Sequence, residues 1–447
     1  MSCVVVVRME TEFANANESI QLVVHDATGV HSFNPMYTHM CFGDDERLRG
    51  WKKKELEIDV HVNIKALCTC VATCTQRQSE QDETGRKVEK LETQGGRKED
   101  ALALLAPMFE SEEDKNFKLV TRTMHEDDSE FKAENLLCVR GMTKLNERPL
   151  ADGYEVLSVQ LGENCDESVR KLHMRLQSLA PFFIDGASVI EPDDPRWRLL
   201  LVVKLRRDRT KEYAVIESLA GFATVYAFFS YPSSTRLRLG QCLVLPPFTK
   251  KGHGTALVRG VYELAYTMDN VIDVTVEDPT DAMQLIQVKL DFARIYHDKY
   301  MPMYADGCIE SAVVSNDWTH LMPPADTAEH VRQYKVNPRQ FRRCWECFLV
   351  ERISNPAYLC GPDAPPEDLI KEKEKREKVI EMLRCLIRDR VYNEFFAKLK
   401  EKKNVEKKVC FTKCVRERER EREREMHVQR NSMNCLLTCC DGGGDAS

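Results

Sequence analysis

A basic, glycine-containing loop between two apolar runs is the stretch of this sequence best suited to chemistry. The run before it, Cys242–Leu245, predicts a buried strand, and apolar residues at helical spacing after it predict a helix. Glycines let a ligand approach the backbone, and the free N–H groups at the start of a helix favour an anion. The sequence therefore predicts an anion site in this loop, which comprises Thr249, Lys250, Lys251, Gly252, His253, Gly254 and Thr255.

Two well-known phosphate loops are excluded by the residues around the glycines. The Walker loop needs Lys and then Ser or Thr after its last glycine, whereas Thr255-Ala256 follows here, and the dinucleotide fingerprint needs three glycines. The loop instead resembles the Arg/Gln-x-x-Gly-x-Gly/Ala loop of the GNAT N-acetyltransferases, with Thr249 in the first position. A longer string resembles the type B histone acetyltransferases; it joins Leu245-Pro246-Pro247-Phe248, Gly252-His253-Gly254 and Glu277-Asp278-Pro279.

This resemblance implies that the loop holds the pyrophosphate of acetyl-CoA, without a metal. The pantetheine arm would hydrogen-bond the backbone of Cys242, Leu243 and Val244 like a missing strand. An N–H of Leu243 or Val244 would stabilise the developing oxyanion. Cys242 has no histidine beside it, so its thiol is interpreted as a core group, and His253 as a loop residue.

Acetyl transfer to lysine needs a base, because only roughly one lysine in a thousand is unprotonated at neutral pH. The second apolar run, Val271–Val276, ends in two carboxylates, and we predict that Glu277 removes the lysine proton. Repulsion from Asp278 would raise the proton affinity of the pair. Relatives carry a third carboxylate, a Glu, where this chain has the shorter Asp185.

The resemblance also implies that two groups of residues bind a lysine-rich histone tail. Three adjacent carboxylates would attract basic residues, although an ordinary acidic turn is the alternative. An aromatic strand would pack the lysine stem, although it is equally well interpreted as core. The residues are Asp44, Asp45, Glu46, Trp197, Tyr226, Ala227 and Phe228.

The order of predicted elements, strands in series and then strand–helix–strand, indicates an α+β fold. The resemblance makes it a GNAT fold with an N-terminal mixed domain and a C-terminal helical domain. Predicted elements are strands at Val156–Gln160, Leu199–Leu205, Ala214–Ala220 and Gly221–Phe229, and helices at Ser168–Leu179 and Asp368–Lys400. Predicted domains are a flexible N-terminus (1–17), a histone-binding domain (18–140) with a disordered insert (76–100), a catalytic domain (150–300), a helical domain (317–400) and a low-complexity tail (405–447).

Composition restricts the possible partners of the 447-residue chain. Its net charge of −7 argues against direct nucleic-acid binding and suits a basic partner. No apolar run is long enough to predict a membrane span, and the first residues do not resemble a signal peptide. The eighteen cysteines are therefore expected to be reduced. The resemblance also implies the tail of newly made histone H-four as substrate, a WD-repeat histone chaperone as partner, and a location in nucleus and cytoplasm.

Two alternatives stay open. The chain could be a GNAT enzyme for another amine, or a histone-binding scaffold without catalysis. The scaffold is suggested by Thr249 and by Ile286-Gln287-Val288, which stands where relatives have Leu-Arg-Asp, because both changes put cofactor affinity in doubt. The intact Glu277-Asp278 pair argues against it.

Overall fold

A computed structural model provides the fold of this chain. It describes residues 13–26, 29–52, 58–63, 68–74, 100–109, 118–120, 141–146, 149–207, 214–298, 300–323, 332–354 and 366–392. The predicted tail at 405–447 and nearly all of the predicted insert at 76–100 lie outside these residues.

The strands are β1 (Phe13–Asn15), β2 (Ile20–Asp26), β3 (Gly29–Phe33), β4 (Arg47–Lys52), β5 (Ile58–Asn63), β6 (Cys68–Cys74), β7 (Lys118–Val120), β8 (Thr143–Lys144), β9 (Glu155–Gln160), β10 (Trp197–Arg206), β11 (Val215–Ser230), β12 (Ser234–Val244) and β13 (Val271–Val276). The helices are α1 (Ala16–Ser19), α2 (His39–Phe42), α3 (Ala101–Phe109), α4 (Glu167–Leu179), α5 (His253–Thr267), α6 (Asp281–Tyr296), α7 (Met301–Ser315), α8 (Pro338–Ser354) and α9 (Pro366–Val391). Short 3₁₀ turns occupy Ala180–Phe182, Pro246–Phe248 and Trp318–Leu321.

The chain divides into two compact units. The first comprises residues 1–301 and 323–345, and the second comprises residues 302–322 and 346–447. Both the predicted histone-binding domain and the predicted catalytic domain lie in the first unit. In the second unit, ion pairs join Arg352 to Asp306 and Arg390 to Glu346, each with a shortest distance of 2.7 Å.

The central sheet of the first unit has the strand order β13-β12-β11-β10-β9-β8. All neighbours are antiparallel except β12 and β13, which are parallel and joined by the crossover helix α5. Helix α5 packs on β10 to β13 through buried apolar residues, among them Leu257, Val261 and Leu264. A parallel pair needs a crossover, so the strand–helix–strand pattern of the sequence fixes this part of the topology. The predicted α+β class is confirmed.

One predicted strand break is wrong. The sequence suggests separate strands on either side of Gly221, whereas β11 is continuous over Val215–Ser230. Gly221 does not end the strand, because it lies where the backbone of β12 comes very close: a Cβ there would stand 2.5 Å from the Leu243 carbonyl oxygen. Glycine within a strand often marks such a close approach.

The N-terminal part of the first unit contains a second sheet with the order β3-β2-β5-β6-β7. Beside it, β1 pairs with β4. Residues 13–17 therefore belong to β1 and α1 and not to a flexible terminus, because Ala14 and Ala16 are buried and the Ala16 N–H donates to the Glu46 carbonyl at 2.8 Å.

In the described part of the chain, no helix is both long and apolar enough to span a membrane. Nor does this part hold a group of three or more His, Cys, Asp and Glu side chains arranged to bind a metal ion. The described cysteines of the Cys344-Trp345-Glu346-Cys347 motif are free thiols.

Candidate functional site

The central sheet opens beside the C-terminal half of β12. Its parallel pairing with β13 ends at Leu239 and Val276, where the Glu277 N–H donates to the Leu239 carbonyl at 2.9 Å. β12 then continues through Gly240–Val244, and no described strand pairs with it on that side. The structure thus has a gap between adjacent strands, with a free strand edge along it where the GNAT resemblance implies that a pantetheine arm pairs.

The free edge presents the backbone groups of alternate residues. Leu243 pairs with Phe222, and its carbonyl oxygen points toward β11, 2.5 Å from the position of a Cβ on Gly221. Because backbone groups alternate in direction along a strand, those of Cys242 and Val244 face the gap. This excludes Leu243 as the oxyanion donor and leaves Val244, together with Cys242.

The loop after β12 is shaped by left-handed residues. Lys250 and Gly252 have φ values of 59° and 90°, and Gly252 is the residue before α5. The first turn of α5, from His253, has N–H groups without helical partners, which suit an anion. Thr249 donates its hydroxyl to the Pro246 carbonyl at 2.9 Å, so this side chain braces the loop.

The two predicted catalytic carboxylates stand at the mouth of the gap. Glu277 and Asp278 follow β13 directly, and both are exposed. Neither forms an ion pair with another described residue. Asp278 has a φ of 35°, and the chain turns there toward α6, which is capped by the Thr280 hydroxyl. Glu277 is therefore fixed through its backbone while its carboxylate is free to accept a proton.

An aromatic row crosses the face of the sheet at β10 and β11. The rings of Trp197 and Tyr226 are 4.7 Å apart, those of Tyr226 and Phe228 are 4.5 Å apart, and Arg238 lies 4.5 Å above Phe228. Ala227 lies between them in sequence, so its side chain points to the opposite face and packs on the core. Ala227 therefore does not belong to the aromatic row, and its contact with a substrate stays a prediction.

One carboxylate fixes the middle of this aromatic row. Asp194 accepts three hydrogen bonds from the Arg196 guanidinium at 2.8–3.2 Å and one from the Tyr226 hydroxyl at 3.1 Å. The hydrogen bonds from Arg196 lower the pKa of Asp194 to about 2. The guanidinium lies 4.9 Å from the centre of the Tyr226 ring, so a permanent cation stands beside the aromatic row.

The acidic trio divides into two exposed residues and one structural residue. Asp44 and Asp45 are exposed on a turn. Glu46 is partly buried, and its carboxylate accepts hydrogen bonds from the Thr38 N–H at 2.8 Å and the Asn17 side-chain amide at 2.5 Å. Glu46 therefore holds the N-terminal segment together, and only the other two carboxylates are free to attract a basic ligand.

Asp185 lies beside this acidic segment. Its carboxylate is 3.5 Å from His39 Nε2, and the other ring nitrogen of His39 is 3.8 Å from Glu46. The side chain of Asp185 is 71% exposed. In the described structure it has no hydrogen bond or ion pair with Glu277 or Asp278. The contacts thus connect Asp185 to the N-terminal segment, and its catalytic role stays a prediction.

An ion pair fixes the separation of the two strands below the gap. Arg236 on β12 donates to the buried Asp273 on β13 at 2.6 and 2.9 Å. The outer edge of β13 is covered by residues just before α8 and in its first turn, because the Val274 N–H donates to the Lys335 carbonyl at 2.9 Å and Gln340 donates to the Val274 carbonyl at 3.1 Å. Both strands are therefore held where the gap begins.

A buried polar cluster connects α5 to α6. The Tyr262 hydroxyl donates to Asp291 at 2.5 Å, Arg294 bonds the same carboxylate, and its guanidinium carbon lies 3.4 Å from the centre of the Tyr262 ring. Burial raises the pKa of Asp291 to about 6. An aspartate and an arginine are thus present on α6, and they hold this helix against α5.

The changed segment Ile286-Gln287-Val288 lies on α6 beside the loop. The Ile286 side chain is 3.7 Å from the position that a Cβ on Gly254 would take, so it contacts the start of α5. Gln287 is buried, and its amide nitrogen has no hydrogen-bond partner in the described structure. The segment that departs from the family therefore packs next to the loop, and its effect on cofactor affinity stays a prediction.

Two groups near the loop are poorly suited to acid–base or nucleophilic chemistry. Burial raises the pKa of the Cys242 thiol to about 12, and a neutral thiol is a poor nucleophile. Burial also lowers the pKa of His253, whose ring packs 5.0 Å from Tyr154 and 6.3 Å from Phe248. Both side chains support the structure of the site.

Several residues that shape the site were missed by the sequence reasoning. The stretch from Asp193 to Trp197 suggests only a turn, although an Asp two positions before an Arg is the signal of the Asp194–Arg196 pair. Nothing in the sequence indicates that Gly221 lies against β12 or that Arg236 meets Asp273, because these contacts join distant segments.

Comparison with known proteins supports the resemblance. Residues 12–185 match the family model described as "Histone acetyl transferase HAT1 N-terminus". The type B histone acetyltransferase catalytic subunit of Zea mays is 37% identical to this chain, over 40% of this chain and 38% of its own length. The corresponding subunit of Homo sapiens is 26% identical, over 82% of this chain and 81% of its own length. The chain thus spans about two fifths of the length of the first curated relatives it matches, and most of the human one.

Among solved structures, the xEco2 acetyltransferase domain is 11% identical and covers 32% of this chain and 88% of its own, with a TM-score of 0.23. A score this low carries no weight, and the fold class rests on the strand order. The family model and the curated relatives together confirm the resemblance predicted from the loop and the carboxylates: this chain is similar to the type B histone acetyltransferase catalytic subunits.

Proposed function

We propose that this chain is a histone lysine acetyltransferase that moves acetyl from acetyl-CoA to lysines in the tail of free, newly made histone H-four. The observation that carries the proposal is the gap beside β12, which has a free strand edge on one side, an anion-binding helix start at its end and Glu277 at its mouth. This arrangement suits a long pantetheine arm with a phosphate at one end and a reacting carbonyl at the other.

The donor is proposed to bind along the free edge of β12. Its pyrophosphate meets the N–H groups at the start of α5, and its pantetheine amides pair with the backbone of Cys242 and Val244. The residues fit such a ligand because they offer unpaired backbone groups in an extended row, which a peptide-like arm can extend as a strand does. Lys250 and Lys251 add positive charge at the phosphate end.

The reaction is proposed as direct attack by the lysine amine on the thioester in a ternary complex. The Glu277 carboxylate takes the ammonium proton, and the neutral amine forms the new C–N bond. The C–S bond then breaks, and the second proton lost by the nitrogen passes to the leaving thiolate, so coenzyme A is released as thiol. The Val244 N–H stabilises the oxyanion. The guanidinium of Arg238 assists, because nearby positive charge favours the neutral amine over the ammonium.

The acceptor is proposed to cross the aromatic row and approach the exposed carboxylates of Asp44 and Asp45. Aromatic rings suit the alkyl stem of a lysine, and carboxylates suit the positive charge of a histone tail. A WD-repeat histone chaperone as partner, and activity in both cytoplasm and nucleus, complete the proposal; they rest on the resemblance alone.

The test is acetyl transfer from labelled acetyl-CoA to a histone H-four tail peptide, measured for the wild type, Glu277→Gln, Asp278→Asn and Asp185→Asn. Removal of the base predicts a loss of about a hundredfold or more in kcat for Glu277→Gln, with acetyl-CoA affinity unchanged. Cys242→Ala is the control for direct attack and should keep activity close to that of the wild type.

Each result tests a different part of the proposal. Full activity in Glu277→Gln would refute the role of Glu277 as the general base. A loss of about a hundredfold in kcat in Asp278→Asn or Asp185→Asn would then identify that residue as the base. Loss of activity in Cys242→Ala with cofactor binding intact would refute direct attack. Acetyl-CoA binding without transfer to the histone peptide would favour a different amine, and absence of both would favour a scaffold.

A further inference from the structure

A second cavity borders the loop on the side toward β9 and β10, whereas the gap lies toward β13. Its volume is about 220 Å³. This is several times the ~30 Å³ that a water molecule occupies in the liquid. It is smaller than the roughly 300–1,000 Å³ of sites for drug-sized ligands. The lining includes three basic side chains, two aromatic rings and one carboxylate, namely His31, Lys204, Lys251, Tyr154, Phe248 and Asp152.

The charge of this cavity favours an anion. Lys204 and Lys251 both contribute a permanent positive charge, whereas Asp152 is the carboxylate among its lining residues. That carboxylate also lies 3.0 Å from Nε2 of the buried His253. Two lysines facing one carboxylate leave an excess of positive charge, which concentrates anions in a recess with low-dielectric walls.

The aromatic wall of the cavity is preformed. The rings of Tyr154 and Phe248 are 5.8 Å apart in an edge-to-face arrangement, and both residues are buried. The Tyr154 hydroxyl is hydrogen-bonded to Ser218 at 2.9 Å, which fixes its ring. Lys251 lies 5.5 Å above the Phe248 ring. A ligand with a flat apolar body would therefore meet a rigid surface next to a cation.

We propose that this cavity binds a small organic phosphomonoester, with the phosphate between Lys204 and Lys251 and the apolar body against Tyr154 and Phe248. This site is distinct from the gap beside β12 and does not depend on the proposed acetyl transfer. Lys251 belongs to both the cavity and the loop, so occupancy of the cavity changes the charge available at the start of α5.

The experiment is calorimetric titration of the full chain with phenyl phosphate and, separately, with inorganic phosphate, each with and without saturating coenzyme A. Phenyl phosphate should bind in both conditions and more tightly than inorganic phosphate, because only the former contacts the aromatic wall. Lys204→Gln should weaken phenyl phosphate binding at least about tenfold, the equivalent of one charge-assisted hydrogen bond of about 1.4 kcal/mol. Lys171→Gln, a change of a lysine on α4 away from the cavity, should leave it unchanged.

Several outcomes would overturn the proposal. Binding abolished by coenzyme A and unaffected by Lys204→Gln would show that the phosphate occupies the loop instead. Equal affinity for phenyl phosphate and inorganic phosphate would show that the aromatic wall does not contact the ligand. Equal effects of Lys204→Gln and Lys171→Gln would indicate nonspecific electrostatic attraction. If coenzyme A itself does not bind, the proposed function fails, whereas a Lys204-dependent phenyl phosphate site still supports this inference.

Discussion

Replacing Gly221 by Ala tests whether the close contact between β11 and β12 positions the cofactor edge. The added methyl carbon would stand 2.5 Å from the Leu243 carbonyl oxygen and 3.0 Å from the Val244 Cα, and ordinary contacts begin at 3.4 Å. Both obstacles are backbone atoms, so no side chain can turn away. The strand must therefore move by about 0.9 Å, the difference between 3.4 and 2.5 Å.

Such a shift has two measurable consequences. It would lengthen neighbouring strand hydrogen bonds such as that from the Leu245 N–H to the Ala220 carbonyl, now 2.9 Å, beyond bonding range. Overpacking of this kind destabilises a protein by about 1–3 kcal/mol. It would also displace the Val244 N–H, and a misplacement of about 1 Å in a reacting geometry can reduce the rate about a hundredfold.

Urea unfolding of Gly221→Ala would measure the loss of stability, and calorimetry with coenzyme A and acetyl-transfer kinetics would measure the effect on the site. Gly240→Ala is the matched control on β12, because its methyl would stand at an ordinary 3.5 Å from the Trp197 ring. A Gly221→Ala protein as stable as the control, with unchanged coenzyme A affinity and kcat, would refute the argument that this contact sets the position of the cofactor edge.

Two further predictions concern the ionic groups on either side of α5. Arg236→Gln leaves the buried Asp273 carboxylate without its partner and should lower the free energy of unfolding by about 2 kcal/mol. The loss is smaller than for a fully buried pair because Arg236 is 40% exposed. Urea unfolding measures it with Arg238→Gln as the control, and equal losses of stability in the two variants would contradict the prediction. The pKa of Asp291 is raised from 3.8 to about 6 in the folded protein. Between these values the folded state keeps a proton that the unfolded chain has lost, so protonation of Asp291 stabilises the fold. This stabilisation is full below pH 3.8 and disappears as the pH rises through 6. Wild type should therefore gain about 2 kcal/mol relative to Asp291→Asn between pH 7 and pH 4. A difference between the two proteins that does not change with pH would disprove this.

The part of this protein that sequence determines is the part built from contiguous residues. The run into β12, the turn of prolines, the glycine loop and the start of α5 are neighbours in the chain, and local chemistry fixes each: proline ends the strand, glycine allows the left-handed turn, and apolar spacing forms the helix. The carboxylates at Glu277 and Asp278 follow from the next apolar run. The α+β class and the anion loop could therefore be predicted without a structure.

The tertiary structure decided everything that depends on segments meeting across the fold. Which backbone groups of β12 face the gap is set by its pairing with β11, so only the pairing shows that those of Cys242 and Val244, and not those of Leu243, face it. Other contacts also depend on distant segments meeting in the fold. They are the hydrogen bond from Tyr226 to Asp194, the hydrogen bond from Thr38 to Glu46, and the approach of Asp185 to His39. A sequence shows which side chains can ionise or bond. Their partners are chosen by packing, because directions alternate along a strand and a shift of one residue would turn each side chain to the other face.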